Sequence, residues 1–255
     1  MTVTVTRWDE SEDGPRIIAL WSMPRSRSTA FFRMMAERGD CHVLHEPFSN
    51  LAEFGSVQVG GRTVEKETEL PDAIRELARS KPVFFKDTTD ERYPALLDDE
   101  AFLGRDATHT FIVRHPAETI ASYYALNPDV RLHQIGGEAQ FEIHRAVAAR
   151  CSRPPVVIDS SDLVEDAPGL VAAYCAAVGI PFLPEALNWR PGEREEWQRT
   201  SHWHAEASAS AGFRTQRRRH GTDPAAHPVL SSYLRHHLPF YEALHEHRLR
   251  PAGSR

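Results

Sequence analysis

Short apolar runs and stretches of helical periodicity alternate along this chain. Runs rich in β-branched and aromatic residues predict strands at 16–21, 41–45, 82–86, 110–113 and 155–159. Between them, apolar positions recur at helical spacing and predict helices at 28–38, 72–79, 116–125, 138–149 and 168–178. Pro116 suits the first turn of its helix, where no backbone N–H is needed. A last helical pattern runs over 229–246. This alternation predicts an α/β fold, a three-layer sandwich around a central parallel sheet of about five strands. Right-handed crossovers then bring every strand's carboxyl end to one rim. Arg25, Glu46, Lys86, Arg114 and Asp159 would gather on or near it.

The pattern breaks in three places. Residues 1–15 are polar and acidic and read as a flexible arm before a single domain over 16–250. Residues 48–69 are polar and contain glycines, the signature of a loop or lid. Residues 181–228 lose clear periodicity and carry Trp189, Trp197, Trp203 and Phe213 among charged residues. Such aromatic-rich irregular segments often cover a pocket, so both of the latter are expected to cap the domain.

Composition narrows the classes. The 255 residues suffice for one α/β domain with a real core. A formal net charge of −6 argues against a nucleic-acid binder, which is normally basic. Of the 30 basic residues only Lys66, Lys81 and Lys86 are lysine, a bias that suits an arginine-rich anion site or a biased genome equally. Cys41, Cys151 and Cys175 are too widely spaced for a disulfide framework or a metal set. The fourteen histidines show no completed metal spacing, so no metal is expected. With no apolar run near ~18 residues and no leader pattern, a cytoplasmic location and no membrane partner are expected. A homodimer is compatible with the chain.

Two segments carry candidate chemistry. The first strand runs into Pro24-Arg25-Ser26-Arg27-Ser28-Thr29, where a helix pattern begins at once. Strand, tight turn and helix N-terminus form a phosphate-holding geometry, because free N–H groups and the positive helix end face the ligand. Ser26, Ser28 and Thr29 add hydroxyls, and Arg25 or Arg27 a guanidinium fork. The turn lacks the G-x-x-x-x-G-K pattern and holds no glycine. In the second segment, a buried strand delivers Arg114-His115-Pro116, and Ser122 lies two helical turns further on. An arginine at a strand's carboxyl end points into the crevice where open α/β sheets bind ligands.

Together these segments resemble the phosphosulfate-dependent sulfotransferases, over about residues 17–244. The first is similar to that family's 5′-phosphosulfate loop, P-K/R-S-G-T/S-T, and the second to its 3′-phosphate element, R-x-P followed by a helical serine. The resemblance implies the P-loop NTPase-like sulfotransferase fold. It also implies 3′-phosphoadenosine 5′-phosphosulfate (PAPS) as donor, 3′-phosphoadenosine 5′-phosphate (PAP) as product and a small-molecule hydroxyl acceptor. On it, Arg25, Ser26, Arg27, Ser28 and Thr29 would hold the 5′ end, and Arg114 with Ser122 the 3′-phosphate. Lys86 would contact the reacting group, and Glu46, before Pro47-Phe48, would serve as base with its pKa raised by partial burial.

The chain departs from the family in several places. Thr88 stands where cytosolic members have a catalytic histidine, which leaves His45, Asp87 and Asp90 as competing bases. Ala30 replaces a frequent tryptophan, so Phe213 becomes the candidate for adenine stacking. Arg218, within Arg217-Arg218-Arg219-His220-Gly221, matches a late phosphate segment loosely. Two further readings stay open. One is a P-loop-like small-molecule kinase, disfavoured by the absent Walker lysine motif. The other is a non-catalytic nucleotide-binding protein on the same fold.

Overall fold

Five parallel strands form the centre of the molecule, in a computed structural model that describes residues 7–11, 14–213 and 221–251. In chain order, β1 (Ile17–Ser22) leads to α1 (Ser28–Arg38), and β2 (His42–His45) to α2 (Pro47–Phe54). A small hairpin follows, β3 (Val57–Val59) and β4 (Arg62–Val64), then α3 (Leu70–Leu77). Next come β5 (Val83–Thr88), α4 (Pro94–Asp98), β6 (Thr108–Val113), α5 (Pro116–Tyr124) and α6 (Gly137–Ala148). The last strand is β7 (Val156–Asp159), followed by α7 (Ser160–Glu165), α8 (Ala167–Val178), α9 (Ser201–Ser208) and α10 (Leu230–Glu246). The sheet order is β2-β5-β1-β6-β7, with β1 central.

Both faces of the sheet are covered, and period-two alternation sorts the side chains between two cores. Trp21, Phe85 and Phe111 point to one face, where α2, α3, α6 and α10 pack. Leu20, Phe84 and Ile112 point to the other, against Phe31 and Phe32 of α1 and Tyr174 of α8. The expected three-layer sandwich with five central strands is therefore present. Parallel pairing aligns Ser22 with Thr88 and Val113 with Asp159, so the carboxyl ends share one rim.

Three segments differ from their polar appearance. Residues 48–69 are not a plain loop but contain α2 and the hairpin, with Phe48, Leu51, Val59 and Val64 buried in the core. Their apolar residues are few but land on one face, a pattern too short to stand out against the charged residues around it. Within the segment expected as an arm, Trp8 is fully buried, its ring N–H donating to the Pro15 carbonyl at 2.7 Å. Residues 181–213 form short turns and α9 above the second core.

One buried ion pair ties the N-terminal segment to the start of residues 181–213. The Arg38 guanidinium grips Asp40 through two bonds of 3.0 and 2.8 Å and donates to the Pro181 carbonyl at 2.8 Å. Asp40 also accepts the Trp8 backbone N–H at 3.0 Å. Removing one partner strands a buried charge, so Asp40→Asn is expected to cost about 3–5 kcal/mol of stability. Urea unfolding of the variant beside wild type measures this; a change under about 1 kcal/mol would mean the pair is energetically idle.

Candidate active site

At the rim, β1 ends in a turn held in an unusual backbone conformation. Arg25 and Arg27 both lie in the left-handed region, at φ 64° and 66°. This conformation is unfavourable for a residue with a side chain, by roughly 1–2 kcal/mol each. Left-handed residues in such turns aim successive N–H groups to one side, an anion-holding concavity. The Ser22 hydroxyl locks the turn to its neighbour, lying 2.9 Å from the Asp87 carbonyl and 3.0 Å from Ser28 Oγ. Ser26 is fully buried and its Oγ has no hydrogen-bond partner among the described residues.

Arginines gather over this turn. Arg114, from the end of β6, donates to the Arg25 carbonyl at 2.7 Å and pairs with Glu118 at 2.8 Å. Arg25 folds towards α5, its Nε donating to Ser122 Oγ at 3.1 Å and another nitrogen to the Trp203 carbonyl at 2.5 Å. Its third nitrogen is 3.5 Å from Glu206. Burial pulls the Arg25 guanidinium below its ordinary value, with Arg114 adding to the effect and Glu206 opposing it. Arg27 reaches the other way, 3.3 Å from Ser160 at the end of β7.

The floor of the cavity is a buried ionic cluster. Register places His45 opposite Lys86, and the Glu46 N–H donates to the Lys86 carbonyl at 2.7 Å. The Lys86 ammonium donates to Glu46 Oε1, and Glu46 Oε2 lies 3.6 Å from His45 Nδ1. Burial alone would raise the Glu46 carboxyl. Lys86, joined by His45 and His204, outweighs burial and holds it below the ordinary carboxylate range. The expected upward shift of Glu46 is thus reversed, because a cation sits on one of its oxygens. Lys86 does not pair with Asp87. That carboxylate instead accepts the Phe48 and Ser49 N–H groups, at 2.7 and 3.1 Å, and caps α2.

His204, from α9, closes this cluster from above. Its Nδ1 lies 3.1 Å from Thr29 Oγ1, and its Nε2 is buried without a partner among the described residues. The imidazole is pulled down to about 4, chiefly by burial, and is neutral at pH 7. His45, packed edge-on against His204 and Phe32, is pushed well below its ordinary value for the same reason. Donor atoms of His45, Glu46 and His204 lie within 4.8 Å of one another. The Lys86 ammonium already holds one Glu46 oxygen and would repel a metal ion beside it, so the cluster suits proton handling better than metal binding.

All of this opens on one cavity of about 430 Å³. Arg25, Arg27, Ser28, Thr29, Glu46, Lys86, Arg114, Ser122 and Phe213 line it, so residues from five separate chain segments converge. Ser26 lies behind the turn, and Arg218 falls outside the described residues. The Phe213 ring is backed by Trp189, with ring centroids 5.3 Å apart. Arg25 and Ser122, expected at opposite ends of a nucleotide, touch each other here. The residues that sequence reading did not single out include Tyr123, Glu53, Glu91 and Glu206. Tyr123 was visible only as the residue after Ser122, and the three glutamates have no local signal.

A sequence model described as "Sulfotransferase domain" matches residues 15–248. Two curated Arabidopsis thaliana relatives, branched-chain-amino-acid aminotransferase-like proteins 2 and 1, are each 26% identical across 91% of this chain. The chain spans 42% of the length of either relative. Among solved structures, the sulfotransferase domain from the curacin biosynthetic pathway is 16% identical, covering 90% of this chain and 91% of its own, with a TM-score of 0.39. A sulfotransferase from Alicyclobacillus acidocaldarius is 13% identical over 77% of this chain and 96% of its own, with a TM-score of 0.47.

The buried imidazoles carry a pH signature. An unfolded histidine protonates near 6.5, whereas folded His204 resists until about 4. Between those values the unfolded chain binds more protons, so stability falls as pH drops through that window. At pH 5 the loss from His204 should be on the order of 2 kcal/mol, with His45 adding to it. Urea midpoints at pH 7 and pH 5 test this, and His204→Gln should flatten the difference.

Proposed function

The chain belongs to the sulfotransferase domain family, and on that premise we propose that it moves a sulfuryl group from PAPS to a hydroxyl of a small molecule. The observation that carries this reading is convergence on one cavity. The left-handed turn at 24–29 and the Arg114–Ser122 pair face it together, with the Lys86–Glu46 pair on its floor. A donor with phosphate at both the 3′ and 5′ positions needs two anion sites at a fixed separation. Ordinary adenylates need only one.

In this reading the 5′-phosphate lies on the turn, held by backbone N–H groups, Ser28 and Thr29. Arg27 stands where the family has glycine, and it adopts the left-handed conformation that glycine would supply. Arg114 and Ser122 hold the 3′-phosphate, and the adenine lies towards Phe213. Donor entry exchanges the Arg25–Ser122 bond for bonds to phosphate, which are charge-assisted and stronger.

Chemistry follows from the floor. The acceptor oxygen attacks sulfur as the bond from sulfur to the 5′-phosphate oxygen breaks. The electron pair leaves on that oxygen, where Arg25 and Lys86 offset the growing charge. The acceptor's proton passes to Glu46. That carboxylate is ionised and free to accept, and its weak basicity rises as Lys86 shifts towards the sulfuryl oxygens. His204, neutral and bonded to Thr29, borders the same space and orients the acceptor hydroxyl.

Two measurements test the assignment. PAP should bind about ten- to a hundred-fold more tightly than adenosine monophosphate, since one charge-assisted contact is worth about 1.5–3 kcal/mol. Arg114→Ala should erase most of that ratio in calorimetry; equal affinities in wild type would remove the 3′-phosphate site.

Glu46→Gln keeps the size of the side chain but cannot take a proton. Turnover should fall by about 10²–10⁴-fold while PAP affinity stays close to wild type. Near-normal turnover in this variant, together with loss in Asp87→Asn or His45→Ala, would move the base away from Glu46.

A further inference from the structure

The charges lining the cavity are sorted by wall. Arg25, Arg27 and Arg114, with Lys86 at the floor, occupy the side assigned above to the donor. Glu53 of α2, which follows β2, and Asp90 and Glu91, which follow β5, line the cavity from the β2–β5 half of the rim, whereas Arg25, Arg27 and Arg114 follow β1 and β6. Tyr123 lies between the walls. Its hydroxyl is raised first by burial, then by Asp90, Glu91 and Glu53, so all three carboxylates act on one spot.

The two sets of carboxylates differ in their partners. Glu46 is matched by Lys86, and Glu206 lies 3.5 Å from Arg25. Glu53, Asp90 and Glu91 pair with no cation among the described residues. Asp90 Oδ1 is shielded from solvent and has no hydrogen-bond partner among the described residues, although the residue lines the cavity and its carboxylate is bonded by the Thr88 side chain. Burial, with Glu46 and Glu91 nearby, pushes the Asp90 carboxyl up to about 6. A desolvated carboxylate without a cation is costly, and a site that keeps one has a use for it.

From this we infer that the acceptor is an organic cation, an alcohol carrying a protonated amine whose ammonium group sits among Asp90, Glu91 and Glu53. This assignment rests on the sulfotransferase reading for the position of the donor. The four cations are then committed to the donor's phosphates and sulfuryl group, and the acidic wall is what remains for the acceptor. An anionic acceptor would meet three uncompensated carboxylates, and a neutral polyol would leave their charge unbalanced. An ammonium group balances it and gives Asp90 Oδ1 a donor. The amine end is held at the acidic wall, which leaves the hydroxyl end free to reach Glu46 and Lys86.

The test uses four probes with the same carbon chain: an amino alcohol, its N-acetyl derivative, the corresponding diol and the corresponding hydroxy acid. Each is titrated by calorimetry into the free protein and into the protein saturated with PAP. The amino alcohol should bind about ten- to a hundred-fold more tightly than the N-acetyl compound or the diol, and the hydroxy acid most weakly. Asp90→Asn should bring the amine close to the N-acetyl value. The double variant Glu53→Gln, Glu91→Gln changes two exposed side chains, so folding is not at stake, and it should lower amine affinity in the same direction. Equal binding of amine and diol in wild type, or unchanged amine affinity in both variants, would overturn the assignment. Sulfation of the diol as fast as the amine would do the same while leaving sulfuryl transfer intact. Failure of PAP to bind would remove the donor reading instead, and the amine titration on the free protein would still decide the charge of the acceptor.

Discussion

The ion pair between Lys86 and Glu46 is the constraint around which the rim is arranged. It joins neighbouring strands, because β2 and β5 pair with His45 opposite Lys86. The backbone repeats the link, since the Glu46 N–H donates to the Lys86 carbonyl. Glu46 is held in the left-handed region at φ 51°, which turns the chain sharply into α2. Asp87, next to Lys86, then caps α2 by taking its first free N–H groups. Two adjacent residues of β5 therefore do different work. Lys86 charges the cavity floor, and Asp87 orients the helix that forms one wall.

Everything above that floor depends on desolvation. Buried imidazoles on either side of Glu46 stay neutral because charging them would cost solvation that the interior cannot replace. The same burial raises Asp90 but fails to raise Glu46, because only Glu46 has a cation in contact. Two carboxylates in one cavity thus acquire opposite tendencies. That separation follows from the Lys86 contact, which Glu46 has and Asp90 lacks.

The strained turn and the arginines around it form a second dependent layer. Left-handed Arg25 and Arg27 send their side chains apart, one to α5 and one to β7. A glycine at either place would satisfy the backbone but would supply no charge. The chain accepts backbone strain and gains two guanidinium groups at the mouth of the cavity.

By itself, the sequence determined the layers and the rim. Short continuous apolar runs and helical repeats are local consequences of burial on a two-faced sheet, and they placed all five strands within two residues of their observed ends. Strand-end positions such as Lys86 and Arg114 followed, because parallel topology allows only one rim. The turn at 24–29 was legible as well, since its chemistry lies within six consecutive residues. Tertiary structure alone decided which charges meet. Lys86 had Asp87 beside it in sequence yet pairs with Glu46, forty residues away, and Arg25 finds Ser122 and Trp203 across the fold. The α2–hairpin segment hid its few apolar residues among charged ones, and His204 became part of the floor only when α9 folded over it. Electrostatic interactions between residues distant in the chain leave no periodicity, and burial, which sets their strength and even their sign, exists only once the layers have closed.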